Sequence, residues 1–114
     1  MEFNQNKPIY MQIADSICES ILKEELMPES RIQSVRELGA ELGVNPNTVM
    51  RCYEKMTSDG IIYNKRGIGY YVSENAKDIV LEKMRKVFID EELPVIINKM
   101  KLLGIDFSVL SYNV

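Results

Sequence analysis

Arg36, Asn45, Asn47, Thr48, Arg51, Lys65, Arg66 and Gly67 all lie in one run of the chain, Ser34 to Val72. Their side-chain types are those that read nucleic acid. An arginine donates two parallel N–H bonds to a guanine edge, and an asparagine matches the donor and acceptor of adenine. A threonine suits a phosphate or a thymine methyl. Lysine and arginine next to a glycine can ride phosphates or enter a minor groove. The chemistry is recognition of double-stranded DNA, if the local structure brings these groups to an outer edge.

The elements that must do so are legible. Ser34 followed three residues later by Glu37 forms a capping box that opens a helix. Val35, Leu38 and Leu42 give that helix an inward stripe, and Gly43 ends it as a residue able to take positive φ. Asn45 then caps a recognition helix that begins at Pro46. Val44, Val49, Tyr53 and Met56 face the core, and Asp59-Gly60 closes the helix. Ile61–Asn64 and Tyr70–Val72 read as strands, joined by the turn Lys65-Arg66-Gly67-Ile68-Gly69. Of Tyr70 and Tyr71, one points inward and one outward. The sum is a winged helix-turn-helix: mostly α, with a small β-hairpin as the wing.

Asn45, Asn47, Thr48 and Arg51 occupy the outward N-terminal part of the recognition helix. That helix end also offers free N–H groups to a phosphate. Arg36, early on the preceding helix, is placed for a phosphate or base; its plainer role is a partner for Glu37 or Glu41. Lys65 and Arg66 at the wing tip are placed for a minor groove; their plainer role is a soluble hairpin end.

Upstream, Pro8 suits a first helical turn. Ile9, Ile13, Ile17 and Ile21 recur at helical spacing, and Met27-Pro28 is the expected stop. Arg31–Gln33 reads as a connector or a minor third strand.

Composition narrows the function. The 114 residues carry a net charge of −3 and no histidine. Triads built on histidine, His-ligated zinc and the usual pH switch are therefore excluded. The two cysteines, Cys18 and Cys52, read as small core fillers in a reducing compartment. Carboxylates are scattered over helix faces. No catalytic residue, metal site or cofactor is expected, nor an enzyme. There is no apolar run long enough for a membrane span and no signal-peptide pattern, so a cytoplasmic chain is expected. Within Ser30–Val72 six cations face four anions. The acidic balance lies elsewhere, and DNA binding needs only a local positive face.

Residues 1–75 make up the winged domain in this reading, and 76–114 a helical dimerisation tail. Ile79, Val80, Met84, Val87 and Phe88 form one stripe. A break is expected from Glu91-Glu92 to Leu93-Pro94, before a second stripe of Leu93, Ile96, Ile97, Met100 and Leu103. Gly104 ends that helix, and Asp106 is placed to cap a last one through Leu110. The tail is too short to enclose a core of its own. Its apolar residues need a partner, either the same tail on a second chain or the chain's own first helix. The dimerisation set is Ile79, Met84, Val87, Phe88, Leu93, Ile96, Ile97, Met100 and Leu103.

PIYMQI from Pro8, RIQSVRELGAELGVNPNTV and GIIYNKRGIGYYV resemble the GntR family of bacterial transcription regulators. The tail, with EELPVIINKMKLLGI, is similar to the YtrA-like subfamily, whose short helices replace a larger effector domain and mediate dimerisation. The resemblance implies DNA contacts at Arg36, Asn47, Thr48, Arg66 and Gly67. It also shows departures. Met50 stands where an arginine is common, which shifts weight to Arg51. Gln33 replaces a common proline, Glu29 a common glycine and Tyr70 a common threonine. The implied function is a homodimeric regulator, a repressor that occludes a promoter at a palindromic operator. The alternative is a winged-helix adaptor that binds protein. No polar constellation names a small-molecule effector.

Overall fold

A computed structural model describes residues 1–4 and 6–113. The chain forms helices α1 (Ile9–Leu22), α2 (Val35–Leu42) and α3 (Pro46–Ser58), then strands β1 (Ile62–Lys65) and β2 (Gly69–Val72). Helix α4 (Ala76–Val87), a π-helical turn (Phe88–Glu92), α5 (Leu93–Leu102) and a 3-10 segment (Phe107–Asn113) follow. Two compact units result, the first Met1–Leu81 and the second starting at Glu82.

The first unit is built around α3. Val49, Cys52, Tyr53 and Met56 recur at helical spacing and are fully buried among Ile13, Ile21, Leu38, Ile61, Ile62 and Val72. Ala76 and Val80 complete this core, so the first turns of α4 belong to it and the unit runs past Asn75. Ile79 packs against the same core. It is therefore engaged within its own chain rather than standing free for a second one, as the dimerisation set had it.

Strands β1 and β2 pair antiparallel, with Tyr63 opposite Tyr71 and Lys65 opposite Gly69. The ladder runs one residue further toward the tip at each end than expected, leaving a three-residue turn in which Ile68 N–H donates to Lys65 O at 2.9 Å. The connector before α2 does join the sheet edge, through a bridge between Arg31 and Tyr71 and the bond from Ile32 N–H to Tyr70 O at 2.9 Å.

Helix α1 ends at Leu22, well before Met27-Pro28. Glu24 takes a left-handed φ of 61°, and Glu25 N–H turns back to Ser20 O at 2.9 Å. That closes the helix without glycine or proline. Ile9 is 41% exposed. The buried polar residue of α1 is Gln12, whose amide ties down the N-terminal segment through bonds to Asn4 and Lys7.

Burial pushes the Cys52 thiol from 9.0 up to about 12 and raises the Tyr53 phenol as well. In the unfolded chain both lose protons more readily. Their burial therefore contributes stability that is complete below pH 9 and lost as pH climbs toward 12. The urea midpoint is expected to fall steadily over that range, and less steeply in Cys52→Ala. A midpoint that stays flat from pH 8 to 11 would refute this.

In the second unit the expected break at Glu91-Glu92 is absent. Val87, Glu92 and Leu93 all keep right-handed helical dihedrals. Leu93 N–H bonds Phe88 O, one residue further back than in an α-helix. The widened turn sits just before Pro94, whose ring would otherwise press on the carbonyl of Asp90. Gly104, at φ 65°, ends the helical run. Asp106 then caps the final segment by accepting Ser108 N–H at 2.8 Å; that segment is a 3-10 helix. Met100 is buried in its own chain, the other departure from the dimerisation set. Met84, Val87, Phe88, Ile96 and Leu103 are exposed, while Leu93 and Ile97 are half-buried.

Candidate nucleic-acid interface

The helix-turn-helix is set by local hydrogen bonds. The Ser34 hydroxyl accepts Glu37 N–H at 3.1 Å, and the Glu37 carboxylate accepts Ser34 N–H at 3.0 Å. These bonds hold the Glu37 carboxyl below its ordinary range. Ser34→Ala is expected to cost about 1 kcal/mol, read as a lower thermal midpoint; an unchanged midpoint would deny the cap its role.

Gly43 takes a φ of 68° at the end of α2. Gly39, one turn earlier, is the tighter requirement. A Cβ there would lie 3.0 Å from the Val44 carbonyl oxygen and 3.5 Å from Pro46 Cα. Its hydrogen lets α2 approach the turn and the start of α3.

At that start, Asn45 Oδ1 accepts Asn47 N–H at 2.8 Å. The Asn45 oxygen is thus engaged as a cap, which leaves its amide nitrogen for any contact outside. Asn47 and Arg51 are exposed, one turn apart on the side of α3 opposite its buried stripe, and Thr48 on their flank is half-buried. The guanidinium of Arg51 lies over the Tyr10 ring of α1, 4.2 Å from its centroid. Stacking of this kind uses the face of the guanidinium. The N–H donors at its edge stay available.

Arg36 is exposed on the first turn of α2, and of its two candidate carboxylate partners, Glu37 and Glu41, the first is otherwise engaged. Glu37 serves the cap and lies 3.8 Å from Arg31. Lys55, by contrast, is paired with Asp59 at 3.2 Å.

The wing is fastened to α3 by aromatic contacts. Tyr70 meets Tyr53 edge-on at 4.9 Å, and the Tyr53 hydroxyl donates to Gln33 O at 2.7 Å. Tyr70 is thus the inward tyrosine of the strand. Tyr71 faces outward, stacked on Tyr63 at 5.9 Å. Lys65 Nζ sits over the Tyr71 ring at 4.6 Å. Arg66 is exposed at the tip beside Gly67, whose φ of 80° fits glycine and whose surroundings are open.

Three side chains near this surface lie outside the candidate set read from the sequence. Tyr10 was assigned no role, although it carries Arg51. Met50 is partly exposed on α3, with Tyr70 as a neighbour. Arg31 packs its guanidinium on Gly69, where a Cβ would come within 3.0 Å of Nε. Arg31 left a signal in the sequence as a cation in the connector, and Met50 as the place of a common arginine. The contacts each of the three makes depend on elements distant in the chain.

The substitution at Glu29 has a structural counterpart. Glu29 adopts a φ of 65°, where glycine is less strained. Its carboxylate accepts the Tyr63 hydroxyl at 2.5 Å, and that bond raises the Tyr63 phenol above its usual range.

The family described as bacterial regulatory proteins, gntR family, matches residues 9–72, from α1 through the wing. The HTH-type transcriptional repressor YtrA of Bacillus subtilis is 38% identical over 103 residues, covering 90% of this chain and 78% of the relative. A GntR family transcriptional regulator from Listeria monocytogenes superposes with a TM-score of 0.80 at 31% identity, covering 96% of this chain and 95% of the other. The DNA-binding domain of AraR, solved in complex with operator ORX1, gives a TM-score of 0.59 at 25% identity, over 63% of this chain and 93% of that domain. A match spanning both helices of the motif and its hairpin places the chain in the GntR family, as a transcription regulator with a DNA-binding winged helix-turn-helix and not an enzyme.

Proposed function

We propose that the chain works as a homodimeric repressor whose two recognition helices read a palindromic operator, with half-sites about one helical turn apart. The observation that carries this reading is the exposed Asn47–Arg51 edge of α3, opposite a stripe buried in the core. Arg36, Asn45, Asn47, Thr48, Arg51, Lys65, Arg66 and Gly67 are the DNA-facing set. The AraR domain supports the mode of action, since its structure was solved on an operator.

The tail supplies the second copy. Among the described residues from Glu82 on, twelve large apolar side chains are 40–78% exposed. That is more than scattered surface apolarity accounts for. They include Ile89, Val95, Leu102, Ile105, Phe107, Val109 and Leu110, so the apolar surface is broader than the stripe read from the sequence. A matching tail on a twin chain would bury it.

The test is the salt dependence of binding to a duplex selected from a random pool. With Arg51 assigned to a base, Arg36, Lys65 and Arg66 on each of two chains could neutralise about six phosphates. Affinity should then fall by about 10³–10⁵ between 50 and 200 mM salt. A flat response would favour the adaptor, for which the net charge of −3 is the argument.

A further inference from the structure

The apolar positions of α3 that serve the core, Val49, Cys52, Tyr53 and Met56, are at most 1% exposed. Met50 is the exception, at 37%. It sits three residues after Asn47, so the two share a side of the helix. A methionine here would ordinarily sample many rotamers. This one is held by its sulfur: the Tyr70 hydroxyl donates to Met50 Sδ at 3.8 Å. Tyr70 is itself fixed edge-on against Tyr53 at 4.9 Å. The wing thus steadies an apolar side chain that the core does not use.

We propose that Met50 reads the 5-methyl group of a thymine, with Tyr70 as the residue that positions it. This rests on the DNA reading above. The thymine methyl is the one apolar feature of the major-groove edge, and an apolar side chain is its complement. Removing one buried methyl costs about fourfold in affinity.

The experiment replaces thymine by deoxyuridine, one position at a time, in a duplex selected from a random pool by the full chain. The wild-type protein is expected to lose about fourfold at one thymine per half-site. Met50→Ala, a change to a strong helix former at a partly exposed position, is expected to bind the thymine and uracil duplexes alike. Tyr70→Phe keeps the ring packing and releases the sulfur, and should shrink the uracil penalty. Two results would overturn the proposal: a wild-type protein indifferent to every uracil, or an undiminished penalty in Met50→Ala. If either came with steep salt dependence, the DNA reading would survive. Absence of salt-dependent binding to any duplex would remove both.

Discussion

Arg51→Ala is expected to abolish operator-specific binding while leaving assembly of the chain intact. A bidentate arginine–guanine pair discriminates by about 1–3 kcal/mol. A two-fold complex uses the residue twice, so the loss is about 2–6 kcal/mol. Tyr10 sharpens the argument. With the guanidinium held 4.2 Å from the ring centroid, less side-chain freedom is lost on contact. Tyr10→Ala should therefore weaken binding by only about 0.5–1 kcal/mol. A salt-controlled gel shift against non-specific competitor measures both variants, and unchanged affinity of Arg51→Ala would remove it from the reading edge.

A charge in the tail tests the other half of the proposal. Ile96 is 45% exposed on α5, so Ile96→Glu leaves the single chain little disturbed; glutamate is also a good helix former. In a two-fold interface the same change buries two unpaired carboxylates, each costing several kcal/mol. The expected result is a monomer by analytical ultracentrifugation at concentrations where the wild type is a dimer, with dissociation raised at least a hundredfold. A variant still dimeric would place the interface elsewhere.

What could be read from the sequence was whatever depends on neighbours in sequence. The Ser34–Glu37 box and the Asn45-Pro46 start rest on bonds spanning two or three residues, and both formed as read. The glycine of the wing tip followed from the same local logic. Features set by distant contacts were not legible. Gly39 looks like any helix glycine until the Val44 carbonyl is placed 3.0 Å from its missing Cβ. The winged domain reads as ending at Asn75, yet Ala76 and Val80 beyond that boundary are buried in its core. The left-handed Glu24 carries no warning in the sequence, because non-glycine residues at positive φ are uncommon; at Glu29 the place of a common glycine was the warning. In the DNA-facing set the residue types were visible. The support of Arg51 by Tyr10 and of Lys65 by Tyr71 required the fold.

The widened turn at Phe88–Glu92 has a bearing on how this region tolerates change in length. A helix absorbs a surplus residue there without unwinding, so each side chain beyond it is rotated by about 100° from where an uninterrupted spiral would carry it. Shortening that turn by one codon would leave composition and helicity nearly untouched, yet present a different flank of α5 to whatever adjoins it.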